Sequence, residues 1–200
     1  MPTDFPSCAS TLSALTSLTC AQLYEGGGID ARMYIGNRAD IATCVAGSDG
    51  EITALTLTSG KKLYKLMGLP YKNTASSKDG ELTSDVRLKT HEVIWNGNIV
   101  TAAQKKSVEQ YCNSRNLFVI IEKETGGFLV FGLDYNPRTS SFLDNRRGLT
   151  AKCDLTIAAD INTPNASVIT FMAANMYTHP VPFAPASSNA TNIATLDALC

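Results

Sequence analysis

The sequence lacks any apolar run approaching the ~20 residues that cross a bilayer, so no membrane-spanning helix is expected and the chain reads as a soluble protein. It is also short of charge. Lys, Arg, Asp and Glu make up 18% of its 200 residues, against a usual ~25%. The net charge is only -1, and no Lys/Arg run exceeds the pairs Lys105-Lys106 and Arg146-Arg147. A chain this neutral exerts no general pull on nucleic acid or on an anionic membrane. Six cysteines are present, none in a CxxC pair, and only two histidines accompany them. Zinc ribbons and dithiol redox motifs are thereby excluded, and no metal site or cofactor is expected. The start, MPTDFPSCAS, has neither a basic region nor an apolar one and is not read as a secretory signal. With wide, irregular cysteine spacing, this leads to an expectation of free, mostly buried thiols in a reducing cytosol. Asn165-Ala-Ser and Asn189-Ala-Thr then read as chance matches to glycosylation acceptors. The motifs GxSxG, HExxH and the Walker phosphate loop are all missing. GGGIDARMYIG lacks the glycine spacing of a dinucleotide fingerprint and precedes a strand instead of following one.

What replaces charge is Thr, Ser, Asn and Ala, arranged mostly in β patterns. Residues 1–28 read as a weak helical arm, with Leu12, Leu15 and Leu18 at three-residue spacing, closed by the hinge Gly26-Gly27-Gly28. IDARMYIG (29–36) is rich in β-formers. EITALTLTSGKKLYKLMG (51–68) reads as a hairpin about Ser59-Gly60, with Asp49-Gly50 as a further turn upstream. Residues 70–83 are polar and read as a long loop, before a strand over 85–97 that carries Trp95. One internal helix is expected from Thr101, with Thr101 and Gln104 as a capping box and Val108, Tyr111 and Cys112 on one face. LFVIIEK and FLVFGLD follow, joined by ETGG, and both runs are nearly continuous in apolar residues. That pattern means burial on both faces, with Val119, Ile121, Leu129 and Phe131 central to the core. Residues 136–150 form a second polar loop. A hairpin of AKCDLTIAAD and SVITFMAA comes next, with Cys153, Leu155 and Ile157 facing inward. Residues 181–200 read as an extended arm with room for a short helix at its end. The expected class is α+β, mainly β: an antiparallel sandwich or partly closed barrel with one flanking helix and an arm at each end.

Few residues invite chemistry. Cys112 sits near a helix C-terminus, where the dipole opposes a thiolate, and nothing in the sequence ties His91 or His179 to it as a base. A thiol hydrolase is therefore disfavoured. Glu122, Glu124 and Asp134 flank the central hairpin and offer paired carboxylates, but charges at strand ends are most simply solvated ends. Asp30 with Asp40, and Asp144 with Asp154, lack calcium-loop spacing. No catalytic, cofactor-binding or metal-binding residue is assigned, and the chain is not read as an enzyme.

The element order and two short motifs carry a resemblance. They are Tyr34-Ile35-Gly36-Asn37 with Asp40-Ile41, and Val119-Ile120-Ile121-Glu122 with Gly126-Gly127-Phe128 and Gly132. Over residues 29–175 the sequence resembles the tail-tube family of tailed bacteriophages and related contractile systems, especially structural proteins of phages infecting Bacteroidetes. The resemblance implies a virion protein of the tail or neck, assembled in the host cytoplasm. Identical subunits would join by sheet edges into rings of six or twelve around the DNA channel. DNA would pass without sequence-specific binding, and other tail or neck proteins would be partners. It would divide the chain into the arm 1–28, a tail-tube-like β domain over 29–180 and the arm 181–200. Lys72, Asn73, Lys78, Asp79, Arg138, Asp144, Arg146 and Arg147, on the two polar loops, are the candidate interface residues. The alternative is a β-sandwich binding or decoration module, carbohydrate-binding or capsid-decorating, with Trp95, Tyr135 and Tyr177 as contact aromatics.

Overall fold

The computed structural model describes residues 29–69, 72–83, 86–97, 102–136, 141–142, 148–156 and 166–200. The expected N-terminal arm, the capping Thr101 and Ile157 lie outside them. In chain order the elements are β1 (Ile29–Asn37), β2 (Ile41–Ala46), β3 (Ile52–Leu57), β4 (Tyr64–Met67), β5 (Thr74–Thr83) and β6 (Val86–Gly97). Helix α1 (Ala102–Asn113) follows, then β7 (Leu117–Lys123), β8 (Phe128–Phe131), β9 (Tyr135–Asn136) and β10 (Ser141–Phe142). β11 (Thr150–Thr156), β12 (Ala166–Met176), β13 (Val181–Phe183) and α2 (Asn189–Ala198) complete the order.

The strands form a seven-stranded mixed sheet, β2-β3-β13-β8-β7-β1-β4, and a four-stranded antiparallel sheet, β11-β12-β6-β5. Core side chains from both sheets meet in one apolar cluster, so the arrangement is sandwich-like and not a closed barrel. Strand β7 sits inside the larger sheet, and Leu117 through Glu122 are all buried. Its alternation divides the run between two cores. Leu117, Val119 and Ile121 face β6 and β12, where they meet Val93, Trp95, Ile169 and Phe171. Phe118 and Ile120 face the other way, onto Tyr34, Ile52, Phe128, Val130, Phe183 and Leu196. The continuous apolar pattern is thus two half-patterns superposed, as burial on both faces requires. Val119, Ile121 and Phe131 are buried as expected, while Leu129 packs at the edge of the inter-sheet cluster.

The motif residues have physical roles. A Cβ on Gly36 would lie 2.5 Å from the Phe118 ring, so only glycine lets that ring close the second core. Asn37 caps a short 3-10 turn, its Oδ1 accepting from the Ala39 N–H at 2.9 Å. Gly132 has φ +85, and a Cβ there would come within 2.7 Å of the Leu117 carbonyl oxygen.

Several expectations are corrected. β3 and β4 do not pair as a hairpin: β3 pairs with β2 about the Asp49-Gly50 turn, and β4 pairs with β1. The Ser59-Gly60 turn is present, but Tyr64–Met67 is drawn to the free side of β1. The polar stretch 70–83 is not a loop over most of its length. Thr74–Thr83 forms β5, an edge strand paired with β6. Nor is the C-terminus an extended arm. Val181–Phe183 joins β8 and runs parallel to β3, and α2 then lays a fully buried Leu196 on the second core. Helix α2 is held at both ends. Asn192 grips Ala186 through both amide atoms, at 2.9 and 3.0 Å, and the Leu63 N–H donates to the Leu199 carbonyl at 2.8 Å. Asp197 accepts from the Tyr34 hydroxyl at 2.8 Å and pairs with Lys65 at 2.8 Å.

The thiol expectation is also overturned for one pair. Cys112 on α1 and Cys153 on β11 form a disulfide, with Cα atoms 5.9 Å apart. Cys44 and Cys200 are free, and burial pushes the Cys44 thiol up to about 12. The disulfide closes a loop of sequence separation 41, for which chain entropy alone gives a stabilisation of about 4 kcal/mol.

Two outcomes follow. Replacing Cys112 and Cys153 together by Ser is expected to lower stability by about 2–4 kcal/mol in denaturant titrations, and alkylation without reductant should leave both native residues unlabelled by mass spectrometry. Leu196→Ala is expected to cost about 2–5 kcal/mol, because α2 closes a core. A loss near zero would mean that α2 is not part of the cooperative unit.

Candidate functional site

The sequence-nominated interface residues separate once placed. Arg138, Asp144, Arg146 and Arg147 lie outside the described residues. Lys72 is exposed beside the start of β5, and Lys78 and Asp79 are exposed on β5 itself instead of on a loop. Asn73 is buried and structural: its Oδ1 accepts from the Asn96 N–H at 2.9 Å and its Nδ2 donates to the Leu69 carbonyl at 3.1 Å. Asp79 is shared between Lys89 at 3.1 Å and His179 Nε2 at 3.5 Å. The Lys89 hydrogen bond holds its carboxyl below the usual range. His179 Nδ1 in turn meets the Ser77 hydroxyl at 2.9 Å. A hydroxyl, an imidazole and a carboxylate are thus in line, an order the sequence did not signal because two members lie 102 residues apart. The His179 side chain is 56% exposed and that of Asp79 47%. Water competes with each contact there, and the grouping acts as a clamp between β5 and the turn after β12.

The carboxylates of the central hairpin are engaged elsewhere. Glu122 is 5% exposed, pairs with Arg32 at 3.0 Å and accepts from Asn189 Nδ2 at 2.9 Å. Asn189 Oδ1 accepts from the Gly127 N–H at 3.2 Å, so the ion pair ties the start of α2 to the hairpin turn. Asp134 is fully buried and accepts from the backbone of Tyr177 at 2.9 Å. It belongs to a polar node where the chain crosses between sheets. His91, also fully buried, donates from Nε2 to the Thr178 carbonyl at 2.8 Å, and its Nδ1 accepts from the Gly132 N–H at 3.3 Å. Those two partners fix the neutral tautomer with the proton on Nε2. Burial holds its pKa below the ordinary 6.5. Among the described residues, no group of three or more His, Cys, Asp or Glu is placed to hold a metal ion.

Surfaces suited to a partner lie at the sheet edges. β2 and β4 bound the seven-stranded sheet on opposite sides. β2 carries no charge and no proline, and Val45 on it is 49% exposed. β4 exposes Tyr64 (56%) and Met67 (59%), with Tyr64 tilted against Tyr111 at 5.9 Å. Natural edges are usually guarded by charge, proline or a covering element. A cleft of about 350 Å³ opens between the sheets, walled by Ile29, Ala75, Ile121, Leu129 and Phe131, with Lys123 as its charged member. Beside it the Trp95 Nε1–H is buried with no hydrogen-bond partner among the described residues. Trp95 is 5% exposed and packs in the core, which removes it from the contact aromatics; Tyr135 is half-buried against Phe142, and Tyr177 is exposed. Among the described residues, no helix is long and apolar enough to cross a membrane.

No family model, curated protein or solved structure matches the chain.

The buried His91 generates a pH prediction. Its folded pKa lies below the unfolded 6.5, so above pH 6.5 it is neutral in both states and contributes nothing. As pH falls below 6.5 the unfolded chain takes up a proton that the folded chain refuses, and stability declines until the folded pKa is reached. Asp79 and Asp197, both held below the ordinary 3.8, add their losses only at lower pH. Denaturant midpoints of His91→Gln should therefore vary less than wild type from pH 6.5 down to about 4. Equal slopes would show that His91 titrates freely in the fold.

Proposed function

We propose that the protein is a structural virion subunit, which joins copies of itself edge to edge into a ring or tube of a phage tail or neck around the DNA channel. The observation that carries the reading is the pair of edges β2 and β4, one free of charge and proline, the other presenting Tyr64 and Met67. An edge strand offers unpaired backbone groups that a second strand can complete. Two different edges on opposite sides make a heterologous contact, which closes into a ring when the rotation closes, here at six or twelve subunits. The net charge of -1 suits a passage that DNA traverses without adhering. The Cys112–Cys153 bond suits a particle that leaves the reducing cytosol where it is assembled. The remaining alternative, a binding or decoration module, keeps the exposed Tyr177 but not Trp95.

Light scattering after size exclusion, with negative-stain imaging, tests the proposal on the full chain. Discrete ring or tube particles are expected. Val45→Lys and Met67→Lys should each dissolve them into monomers while leaving thermal unfolding of the subunit nearly unchanged, because both side chains are exposed. Strictly monomeric behaviour at the highest attainable concentration would overturn the reading.

A further inference from the structure

The residues at the end of α1 and the start of β11 enclose a second cleft, of about 430 Å³. Cys112, Asn113, Ser114 and Arg115 line it from one side, Thr150 and Ala151 from the other. Cys112 is one half of the Cys112–Cys153 disulfide, and both halves are only partly buried. Cys112 belongs to the lining of the cleft and Cys153 does not. A nucleophile that enters from solvent therefore meets the Cys112 side of the bond. The one charged residue of the lining is Arg115, which is exposed.

Disulfide exchange depends on access, on which sulfur is attacked, and on where the electron pair goes. Cys112 lies in the last turn of α1, where the helix carbonyls oppose a negative charge on its sulfur. It is thus the better target and the poorer leaving group. The same carbonyls repel an incoming thiolate, and Arg115, three residues further on, supplies the opposing positive charge. The Cys153 Sγ lies 3.7 Å from the Val108 carbonyl oxygen, which can accept the S–H that forms when the bond opens. The dithiol form is therefore accommodated without moving α1 off β11.

We propose that this cleft is a thiol-exchange site, which admits a small anionic thiol of the glutathione class to Cys112. The sulfur of the incoming thiolate bonds to Cys112 Sγ. The Cys112–Cys153 bond breaks, and its electron pair passes to Cys153, which takes a proton from solvent near neutral pH. A second thiolate attacks the added sulfur, forms a small-molecule disulfide with it, and releases Cys112, which is protonated in turn. Two small thiols are oxidised and one protein disulfide is reduced. The thiol poise of the surroundings thereby sets the bond while the subunit stays folded. The exchange belongs to the single subunit and is independent of ring formation.

The test measures opening of the disulfide in the full chain and in Arg115→Glu, by acid quench, alkylation and peptide mass mapping. Three thiols are compared at low salt: glutathione, which is negative, 2-mercaptoethanol, which is neutral, and cysteamine, which is positive. Each thiol is compared with itself across the two proteins, so differences in intrinsic reactivity cancel. Opening should be first-order in thiol, and the first adduct should sit on Cys112. Arg115→Glu should slow glutathione several-fold, leave 2-mercaptoethanol nearly unchanged and accelerate cysteamine. Arg115→Ala should give the same order with smaller factors, and high salt should shrink all of them. Three results would each overturn the proposal. One is a rate that stops rising with thiol concentration at the rate of global unfolding. Another is a first adduct on Cys153. The third is an equal effect of Arg115→Glu on all three thiols.

Discussion

Burial of one strand on both faces organises this molecule. β7 must satisfy its backbone groups sideways, through β1 and β8, and its side chains above and below. Each neighbour then has a defined task. β6 and β12 cover the face of Leu117, Val119 and Ile121; the β13–α2 segment covers the face of Phe118 and Ile120. Removing either cover would expose aromatic and β-branched surface that no solvent-facing sheet carries in such density.

The polar groups buried around this strand hold its covers in register. Glu122, at the end of β7, draws Arg32 from β1 and Asn189 from α2 to one point. His91 and Asp134 do the same where the chain leaves the four-stranded sheet for the seven-stranded one, gripping Tyr177, Thr178 and Gly132. These contacts of the two nodes end on backbone groups or on the paired Arg32 and Asn189 side chains. Both lie under the C-terminal segment, so that segment is bound by specific directional contacts as well as by apolar area.

The sequence made the centre legible and left the periphery obscure. LFVIIEK announces a doubly buried strand because burial is what its composition is for, and the β11–β12 hairpin and α1 follow from ordinary patterning. β5 hid because Ser76, Ser77, Lys78 and Asp79 are poor strand formers; their pairing with β6 makes them extended, and Ala75 anchors the strand to the core. The turn at Ser59-Gly60 is real, yet a local turn signal does not say which strand a segment will pair with, and β1 offered β4 a better edge than β3 did. Along α2 and at its C-cap, Ile193, Leu196 and Leu199 recur at three-residue spacing within a tail otherwise small and polar, a stripe too narrow to stand out. The Cys112–Cys153 pairing depends on how α1 lies across β11, a tertiary fact that no spacing encodes. The edges proposed for assembly were reachable only after the strand order was known.

The disulfide has a mechanical side. It spans from the end of α1 to β11 and encloses the whole of β7 and β8. Tension applied between the chain ends passes through the covalent bridge and bypasses the enclosed strands. The 41-residue interval is withheld from extension, which shortens the stretched contour by about 140 Å at ~3.4 Å per residue. The strand on which the fold is built therefore sits in a segment that pulling cannot unravel while the bond is intact.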